Sequence, residues 1–341
     1  MTMQEIADMA GVHKSTVDKV IHNRPGVSDA VRQRIKKLLK ETNYQPNRAA
    51  QALQYQKREL KLGIVLTQVD ALVFLQGGIL NGLKEYKEFN IKTTFSAFSM
   101  SESEKMAQAL RRMAKEQYDG VILCPINAKC VRDALQELAE KKIPVVTVNS
   151  DLDDITRLCY VGQDGIKASQ TAGRLMTECL GDKSRIAVVT SAIAGENSSY
   201  YVKIRETYFI RYMQEHCPET HIVEVIESME NAEITRQKTK ELLEREADLD
   251  GIYITCGGVA DVAEVVRDAG RAGTIKIIGY ESYPQIVKLM EQNCIAFTID
   301  SDIPGQGKVA VRCMMQYLLN NKKPKRSEVY TDSRILVQEL L

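Results

Sequence analysis

Long apolar runs and paired cysteine motifs are missing from this sequence. No apolar stretch approaches the ~20 residues that span a bilayer, and the N-terminus lacks the charged-then-apolar opening of a secretory signal. The eight cysteines form no C-x-x-C pair, so neither a zinc site nor a disulfide framework is indicated. We therefore expect a cytoplasmic protein with no membrane partner, no metal and no cofactor.

Motifs of the common nucleotide-dependent and histidine-based enzymes are missing as well. The first predicted strand and the residues after it, "GIVLTQVDALVF", contain no G-x-G-x-x-G and no Walker lysine motif. Two of the four histidines lie near the N-terminus and two near a predicted helix-to-strand loop, where a catalytic pair has no evident place. The sequence therefore gives little support to these classes of enzyme, and the missing secretory signal disfavours a solute-scavenging binding protein.

Positive charge is concentrated at the N-terminus of a nearly neutral chain. The 341 residues carry a formal net charge of +1. Residues 1–61 hold twelve Lys and Arg against six Asp and Glu, which gives +6 for this part and −5 for the rest. Such asymmetry is typical of a small basic module joined to an ordinary soluble domain, and the module is a candidate for binding phosphate.

Three short helices are predicted in this basic head. Thr2 and Glu5 have the spacing of a capping box, Gly11 ends the first helix, and Ser28 is placed to cap the third. Two helices around a glycine-containing turn, supported by a third, are typical of a helix-turn-helix, whose second helix enters the major groove. A solvated basic face is the plain alternative. Four side chains on the outer face of the second helix could touch DNA: Lys14, Ser15, Thr16 and Lys19.

A segment too short to fold alone follows the head. Pro46 breaks the third helix, and Asn47 can cap a further helix that begins at Arg48. This helix is far shorter than the ~12–15 residues at which an isolated helix becomes marginal in water. Leu53 is a lone large apolar side chain, which could wedge between base steps in the minor groove or pack as an ordinary linker residue. We expect this hinge to be helical only when something holds it, and we count Asn47, Arg48 and Leu53 among the predicted DNA-binding residues.

From residue 62 onward, short apolar strands alternate with amphipathic helices. This pattern predicts an α/β fold of parallel sheets covered on both faces, with ligands bound beyond the carboxyl ends of the strands. Acids, amides and aromatic rings follow the predicted strand ends and would together suit a polyhydroxylated ligand such as a sugar. Taken singly, several have plainer roles, such as capping a helix or packing in the core. The candidate effector residues are Phe74, Asn149, Asp164, Tyr200, Arg205, Glu281, Asp300 and Ser301, and Asp70, Asp151, Asp261 and Tyr283 also lie at strand ends.

Three separated stretches of the head carry a family resemblance. "IADMAGVHKSTVDKVIHN", "VSDAVRQRI" and "NYQPNRAAQAL" resemble, in register, the DNA-binding head and hinge of the LacI/GalR family of bacterial transcription regulators. The resemblance implies base-reading roles for Lys14, Ser15 and Lys19, phosphate-facing roles for Thr16 and Asn23, and insertion of Leu53 at the operator centre.

Two positions of the second helix depart from the family pattern. Asp18 replaces a small hydroxyl residue, and Lys19 replaces an arginine. An acid at this position could accept from a cytosine amino group, or pair with Lys14 one turn back. The sequence therefore leaves the preferred operator open.

The body is similar, more loosely, to the two-lobed periplasmic-binding-protein fold that this family uses as its effector domain. "YVGQD", "KIRETYF" and "IIGYES" resemble ligand-binding motifs of that fold, which implies that Asp164, Arg205 and Glu281 face the cleft. Tyr208 stands where a glycine is usual, and Glu281 where an aspartate is usual. We therefore expect the pocket of this protein to be shaped for a ligand different from those usual in the family.

The predicted protein is a ligand-responsive transcription regulator. We expect a repressor that binds a palindromic operator in double-stranded DNA as a homodimer, with a sugar or sugar derivative between two lobes. The alternative is an α/β enzyme that acts on a small polar metabolite and is fused to a DNA-binding head. No heptad segment follows the last strand, so nothing drives a tetramer. The predicted domains are a helix-turn-helix domain at 1–46, a hinge helix and linker at 47–61, and an effector domain at 62–341, divided into an N-lobe at 62–162 and 293–324 and a C-lobe at 163–292 and 325–341.

Overall fold

The structure is a computed structural model that describes residues 1–21, 24–42, 44, 58–191 and 199–341. Its N-terminal head contains three helices, and its body contains two six-stranded sheets with helices packed on them. The head helices are α1 (Met3–Ala10), α2 (Lys14–Ile21) and α3 (Asp29–Glu41).

Local sequence signals set the helix ends of the head. The Thr2 hydroxyl accepts from the Glu5 amide at 3.2 Å, while the Thr2 amide donates to Glu5 Oε2 at 2.8 Å, which completes the predicted capping box. Gly11 ends α1 with a left-handed φ of 61°. Ser28 precedes α3, but its side chain makes no capping hydrogen bond. The predicted three-helix head is confirmed, and its helices bury Ile6, Ala7, Ala10, Val17, Val20 and Ile35.

The first lobe is built on a sheet with strand order β11-β5-β4-β3-β1-β2, in which every pairing is parallel. Four helices accompany it, the last coming from the C-terminal part of the chain. The strands are β1 (Leu60–Thr67), β2 (Ile91–Phe98), β3 (Gly120–Leu123), β4 (Val145–Val148), β5 (Cys159–Gly162) and β11 (Glu328–Tyr330), and the helices are α4 (Leu72–Lys84), α5 (Ser103–Lys115), α6 (Lys129–Glu140) and α12 (Ile303–Asn320).

The second lobe repeats this arrangement with strand order β12-β10-β9-β8-β6-β7. Its pairings are parallel except at the edge, where β12 runs antiparallel to β10. The strands are β6 (Arg185–Thr190), β7 (His221–Glu227), β8 (Gly251–Ile254), β9 (Lys276–Tyr280), β10 (Phe297–Asp300) and β12 (Arg334–Leu336), and the helices are α7 (Gly165–Leu180), α8 (Tyr200–His216), α9 (Ala232–Arg245), α10 (Val259–Asp268) and α11 (Pro284–Glu291).

Both sheets are buried on two faces, as the continuous apolar strands predict. Ile64 of β1 packs in one core cluster of the first lobe, and its neighbour Val65 packs in the other. Ile252 and Tyr253 of β8 divide in the same way between the two clusters of the second lobe. Since successive strand residues point to opposite faces, an all-apolar strand needs a helix layer on each side. The predicted α/β class is confirmed.

The predicted lobe boundaries are wrong at two of the three crossings. The first crossing follows Gly162, close to the expected place. Strand β10 pairs with β9 in the second lobe, so the chain returns to the first lobe only between Asp300 and Ile303, not near 292. It leaves again after Tyr330, not near 325, because β11 pairs with β5. A short apolar segment shows that a strand forms but does not identify the sheet that it joins.

The three crossings lie side by side and are joined by hydrogen bonds. The Thr331 amide donates to the Gly162 carbonyl at 2.8 Å, and the Thr331 hydroxyl donates to the Ser301 carbonyl at 3.0 Å. Gln163 Nε2 donates to Ser333 Oγ at 3.0 Å. These contacts place the three connections between the lobes at one edge of the cleft.

Helix α12 is fixed to the first lobe by a close contact with α4. A Cβ added at Gly307 would lie 2.6 Å from the Leu75 carbonyl oxygen, and one added at Gly78 would lie 2.0 Å from the Pro304 carbonyl oxygen. The two helix backbones therefore approach more closely than any side chain at these positions would allow.

Candidate functional site: the cleft between the lobes and the head surface

A cavity of about 640 Å³ lies between the lobes, where the carboxyl ends of both sheets face each other. Thr67 ends β1, Asn149 follows β4 and Glu281 follows β9, and all three line the cavity. This is the position at which open parallel sheets bind ligands, because strand ends and the loops after them meet there. The volume is typical of a pocket for a small molecule.

Arg205 is the principal basic group of the cavity wall. Ser199 caps α8 by accepting from the Val202 amide, and one helical turn separates Arg205 from Tyr201, so both face the cleft. The Arg205 side chain is only 9% exposed. Its Nη1 donates to the Thr255 carbonyl at 3.0 Å, and its Nη2 donates to Gln163 Oε1 at 2.8 Å.

Two aromatic rings contact the Arg205 guanidinium. Its central carbon lies 3.4 Å from the centroid of the Tyr280 ring and 4.8 Å from that of Tyr201. The Arg205 Nε is buried and has no hydrogen-bond partner among the atoms that the structure describes. The guanidinium is thus held in place with one donor unsatisfied.

Glu281 lies close to Arg205 at the end of β9. Its Oε1 is 3.9 Å from Arg205 Nη2 and accepts from the Ser301 hydroxyl at 2.7 Å, while its Oε2 accepts from the Ser301 amide at 3.2 Å. Burial raises the pKa of Glu281 to about 7, although Arg205 and Ser301 oppose the shift. Near neutral pH this carboxyl can therefore either donate or accept a hydrogen bond.

Two acids meet where the two lobes approach each other. Asp70 follows β1 of the first lobe, and Glu230 follows β7 of the second. Both face Gly257, because a Cβ added there would lie 3.1 Å from Asp70 Oδ2 and 3.6 Å from Glu230 Oε2. Burial and the neighbouring Asp70 charge raise the pKa of Glu230 to about 7.

An aromatic pair also joins the lobes across the cavity. Phe74 of α4 stacks on Tyr283, which precedes α11, with ring centroids 4.5 Å apart and an interplanar angle of 9°. Since the two rings belong to different lobes, this contact closes the cleft and presents apolar surface to a ligand.

Four of the eight predicted effector residues line the cavity: Phe74, Asn149, Arg205 and Glu281. Asp164 does not, because its side chain caps α7 by accepting from the Lys167 amide at 3.2 Å. Tyr200 is 37% exposed and lies outside the lining, while the adjacent Tyr201 is part of it. Asp300 accepts from Ser282 Oγ, and Ser301 is buried behind Glu281.

The lining residues that were not selected from the sequence include Tyr201, Glu230 and Tyr280. Helical spacing could have found Tyr201, because it lies four residues before Arg205 and Tyr200 lies five before it. Glu230 follows the carboxyl end of β7, so the rule that located Asp70 applies to it as well. Tyr280 gave no signal, since it is the last residue of a buried strand.

The head presents the predicted polar face on α2. Lys14, Ser15 and Lys19 are exposed and Thr16 is half-buried, whereas Val17 and Val20 are in the core. Asp18 forms an ion pair with Arg24 at 3.1 Å. The other predicted DNA contacts, Asn23, Asn47, Arg48 and Leu53, lie outside the described residues, as does the predicted hinge helix.

Metal clusters and membrane spans are not found in the described parts of the chain. Among those residues, no group of three or more His, Cys, Asp or Glu side chains is placed to hold a metal ion. None of the helices described is both long and apolar enough to cross a membrane.

Sequence comparison relates the two parts of the chain to known families. Residues 74–323 match the periplasmic binding protein domain, and residues 2–47 match the bacterial regulatory proteins of the lacI family. The HTH-type transcriptional regulator MalR of Streptococcus pneumoniae serotype 4 is 24% identical over 334 residues, which cover 96% of this chain and 95% of MalR. The regulator TreR of Escherichia coli K12 is 25% identical over 178 residues, 49% of this chain and 51% of TreR.

Solved structures share the fold of the body. The glucose-galactose binding protein GanP of Geobacillus stearothermophilus superposes with a TM-score of 0.72 at 21% identity, over 82% of this chain and 98% of GanP. An ABC transporter solute binding protein of Burkholderia graminis, in complex with D-arabinose, gives a TM-score of 0.75 at 15% identity, over 82% of this chain and 96% of that protein. The relatives that match along the whole length are transcription regulators, not enzymes. The chain therefore belongs to the LacI family of bacterial transcription regulators, with a helix-turn-helix head joined to a periplasmic-binding-protein domain.

Proposed function

We propose that this regulator is a homodimeric repressor whose affinity for a palindromic operator is controlled by a small ligand bound between the lobes. The observation that carries the proposal is the cavity itself, which lies between two lobes that the chain connects at three adjacent crossings. A ligand held by both lobes favours one lobe arrangement, and it can shift the equilibrium only by its difference in affinity for the two arrangements. The shift would reach DNA through the hinge segment that follows the head.

The chemistry of the cavity supports a sugar or sugar derivative as the effector. Arg205 can donate where its guanidinium faces the cavity, Glu281 can accept or donate, and Asn149 can do both. The stacked rings of Phe74 and Tyr283 provide the apolar surface against which a sugar ring packs. Solved proteins of the same fold include a glucose-galactose binding protein and one in complex with D-arabinose.

In the head, we assign base reading to Lys14, Ser15 and Lys19, whose side chains are exposed on α2. Phosphate contacts are assigned to Thr16 and Asn23, together with Asn47 and Arg48 at the start of the hinge. Leu53 is the proposed minor-groove wedge. Such a regulator acts where the genome is, in the cytoplasm.

A dimer would place two heads on the two half-sites of a palindrome. The outer face of α4 offers a surface for self-association, because Val73 is 72% exposed and Leu80 is 43% exposed. Light scattering should give twice the mass of the chain, and Val73→Asp should reduce it to that of a monomer. A monomer for the unchanged protein would contradict the dimer.

Operator binding with and without ligand tests the coupling. Thermal shift over a panel of sugars identifies a ligand, and fluorescence anisotropy with a labelled operator duplex then measures the affinity change. We expect the ligand to change operator affinity at least tenfold, and Arg205→Ala to retain operator binding while losing the response. Arg211→Ala is the control, because Arg211 lies on the same helix but is exposed beside Tyr208. A ligand that binds the cleft without changing operator affinity would refute the coupling.

A further inference from the structure

The cavity wall carries an excess of negative charge. Among the described residues that line it, five have carboxylates and two have guanidinium groups. The acids are Asp70, Glu230, Asp261, Glu264 and Glu281, and the bases are Arg205 and Arg236.

Local ion pairs leave two of these acids without a basic partner. Arg236 Nη2 lies 2.8 Å from Asp261 Oδ1 and 2.5 Å from Glu264 Oε2, so this arginine is already shared by two carboxylates. Arg205 is the basic neighbour of Glu281. The side chains of Asp70 and Glu230 make no hydrogen bond and no ion pair within the described parts of the chain.

The positions of Asp70 and Glu230 distinguish them from a solvated acidic patch. They come from different lobes and converge on Gly257, where an added Cβ would lie within 3.6 Å of an oxygen of each. Two carboxylates that approach each other in a cleft repel unless a positive charge or a proton lies between them. The raised pKa of Glu230 reflects this environment.

An independent observation shows that the same cavity is built to hold a ligand. The Arg205 guanidinium is more than nine-tenths buried in the wall, and its Nε lacks a partner among the described atoms. The Nε itself lies behind the cavity surface, but Arg205 is one of the lining residues, so a ligand acceptor can reach the guanidinium where it faces the cavity. The cavity therefore offers a hydroxyl-binding side at Arg205 and Glu281, and an anionic side at Asp70 and Glu230.

We propose that the effector is a polyhydroxylated molecule with a protonated amine, such as an amino sugar, whose ammonium group is bound between Asp70 and Glu230. The inference rests on the proposed function, because it names the class of ligand for the same cavity. An ammonium donates hydrogen bonds to both carboxylates and draws the lobes together at Gly257. A sugar phosphate would place further negative charge beside a wall in which the described carboxylates already outnumber the described guanidinium groups.

Calorimetric titration of the full-length protein near neutral pH tests this assignment. The probes are D-glucosamine and D-galactosamine, the parent neutral sugars, their N-acetyl derivatives, glucose 6-phosphate, and calcium or magnesium chloride alone. We expect at least one amino sugar to bind tenfold or more tightly than both its neutral parent and its N-acetyl derivative. Glucose 6-phosphate should not bind.

Two substitutions examine the role of the acids. Glu230→Gln and Asp70→Asn should each reduce the preference for the amino sugar over its neutral parent at least fivefold. Asp133→Asn is the matched control, because Asp133 pairs with Lys129 on α6 and does not line the cavity. Circular dichroism of each variant verifies that it is folded.

The outcomes separate this inference from the proposed function. Neutral sugars that bind as tightly as amino sugars, or an equal loss of both in Glu230→Gln, would overturn the cationic effector and leave a sugar effector standing. Binding of the metal ion alone, without the amine, would overturn the ammonium assignment. No binding by any sugar in the panel, charged or neutral, would overturn both.

Discussion

Protonation of Glu281 should make the stability of the effector domain depend on pH near neutrality. This carboxyl has an ordinary pKa of 4.5, which the fold raises to about 7, chiefly by burial. Below the lower value, folded and unfolded chains both hold the proton, and between the two values only the folded chain does. The stabilisation is therefore complete below about pH 4.5 and is lost as the pH rises through about 7.

The size of the effect follows from the two pKa values. The full interval between the two pKa values corresponds to about 3 kcal/mol in free energy of unfolding, and about 2 kcal/mol of it is lost between about pH 5.5 and 7.5. Glu281→Gln removes the titrating group while retaining an oxygen that can accept from Ser301. We expect the variant to gain about 2 kcal/mol in free energy of unfolding relative to the unchanged protein over this pH range.

Urea unfolding measures this difference, followed by far-ultraviolet circular dichroism because the sequence contains no tryptophan. If the free energy of unfolding falls by roughly 2 kcal/mol per M urea, the urea midpoint of the variant should move by about 1 M relative to that of the unchanged protein between these pH values. Glu219→Gln is the control, since Glu219 is 60% exposed and pairs with Lys183 on the surface. Glu230 contributes equally to both proteins, so it cancels in the comparison. A difference between variant and unchanged protein that stays constant from pH 5.5 to 7.5 would refute the reasoning.

Three further predictions address packing, capping and DNA binding. Gly78→Ala should lower the free energy of unfolding by about 1–3 kcal/mol or more, because its Cβ would lie 2.0 Å from the Pro304 carbonyl oxygen. Gly77→Ala is the matched comparison, because its Cβ would meet no atom within 4 Å, and its melting temperature should be unchanged or higher. Thr2→Ala should destabilise α1 by about 1 kcal/mol, seen as faster amide hydrogen exchange in that helix; unchanged exchange would contradict the cap. Lys19→Ala should weaken operator binding, and if Lys19 also neutralises a phosphate, the slope of log affinity against log salt should fall by about one.

The helices of the head could be predicted closely because their signals are local. The Thr2 and Glu5 capping box acts across three residues, and Gly11 ends the helix through its own backbone conformation. The buried positions Val17 and Val20 follow from helical spacing alone. In each case the interacting groups are neighbours in the chain, so the sequence contains the geometry.

The candidate site could be predicted only in part. The rule that ligands bind at strand ends located Asn149 and Glu281, because parallel strands place their carboxyl ends at one edge. The same rule chose Asp164, whose carboxylate is used by the helix that it caps. A side chain at a strand end has two possible partners, its own helix and the cleft, and the backbone direction that decides between them is set by packing.

The sequence by itself determined the two-part organisation of this regulator, its alternating strands and helices, and the basic face of its head. Only the tertiary structure decided that β10 joins the second sheet, that Phe74 stacks on Tyr283, and that Asp70 and Glu230 converge on Gly257. Composition and period describe which face of an element is apolar, and they act within a few residues. The choice of partner joins separate elements of the chain. For Phe74 with Tyr283 and for Asp70 with Glu230 it joins groups more than a hundred residues apart, and it depends on how two folded lobes fit together.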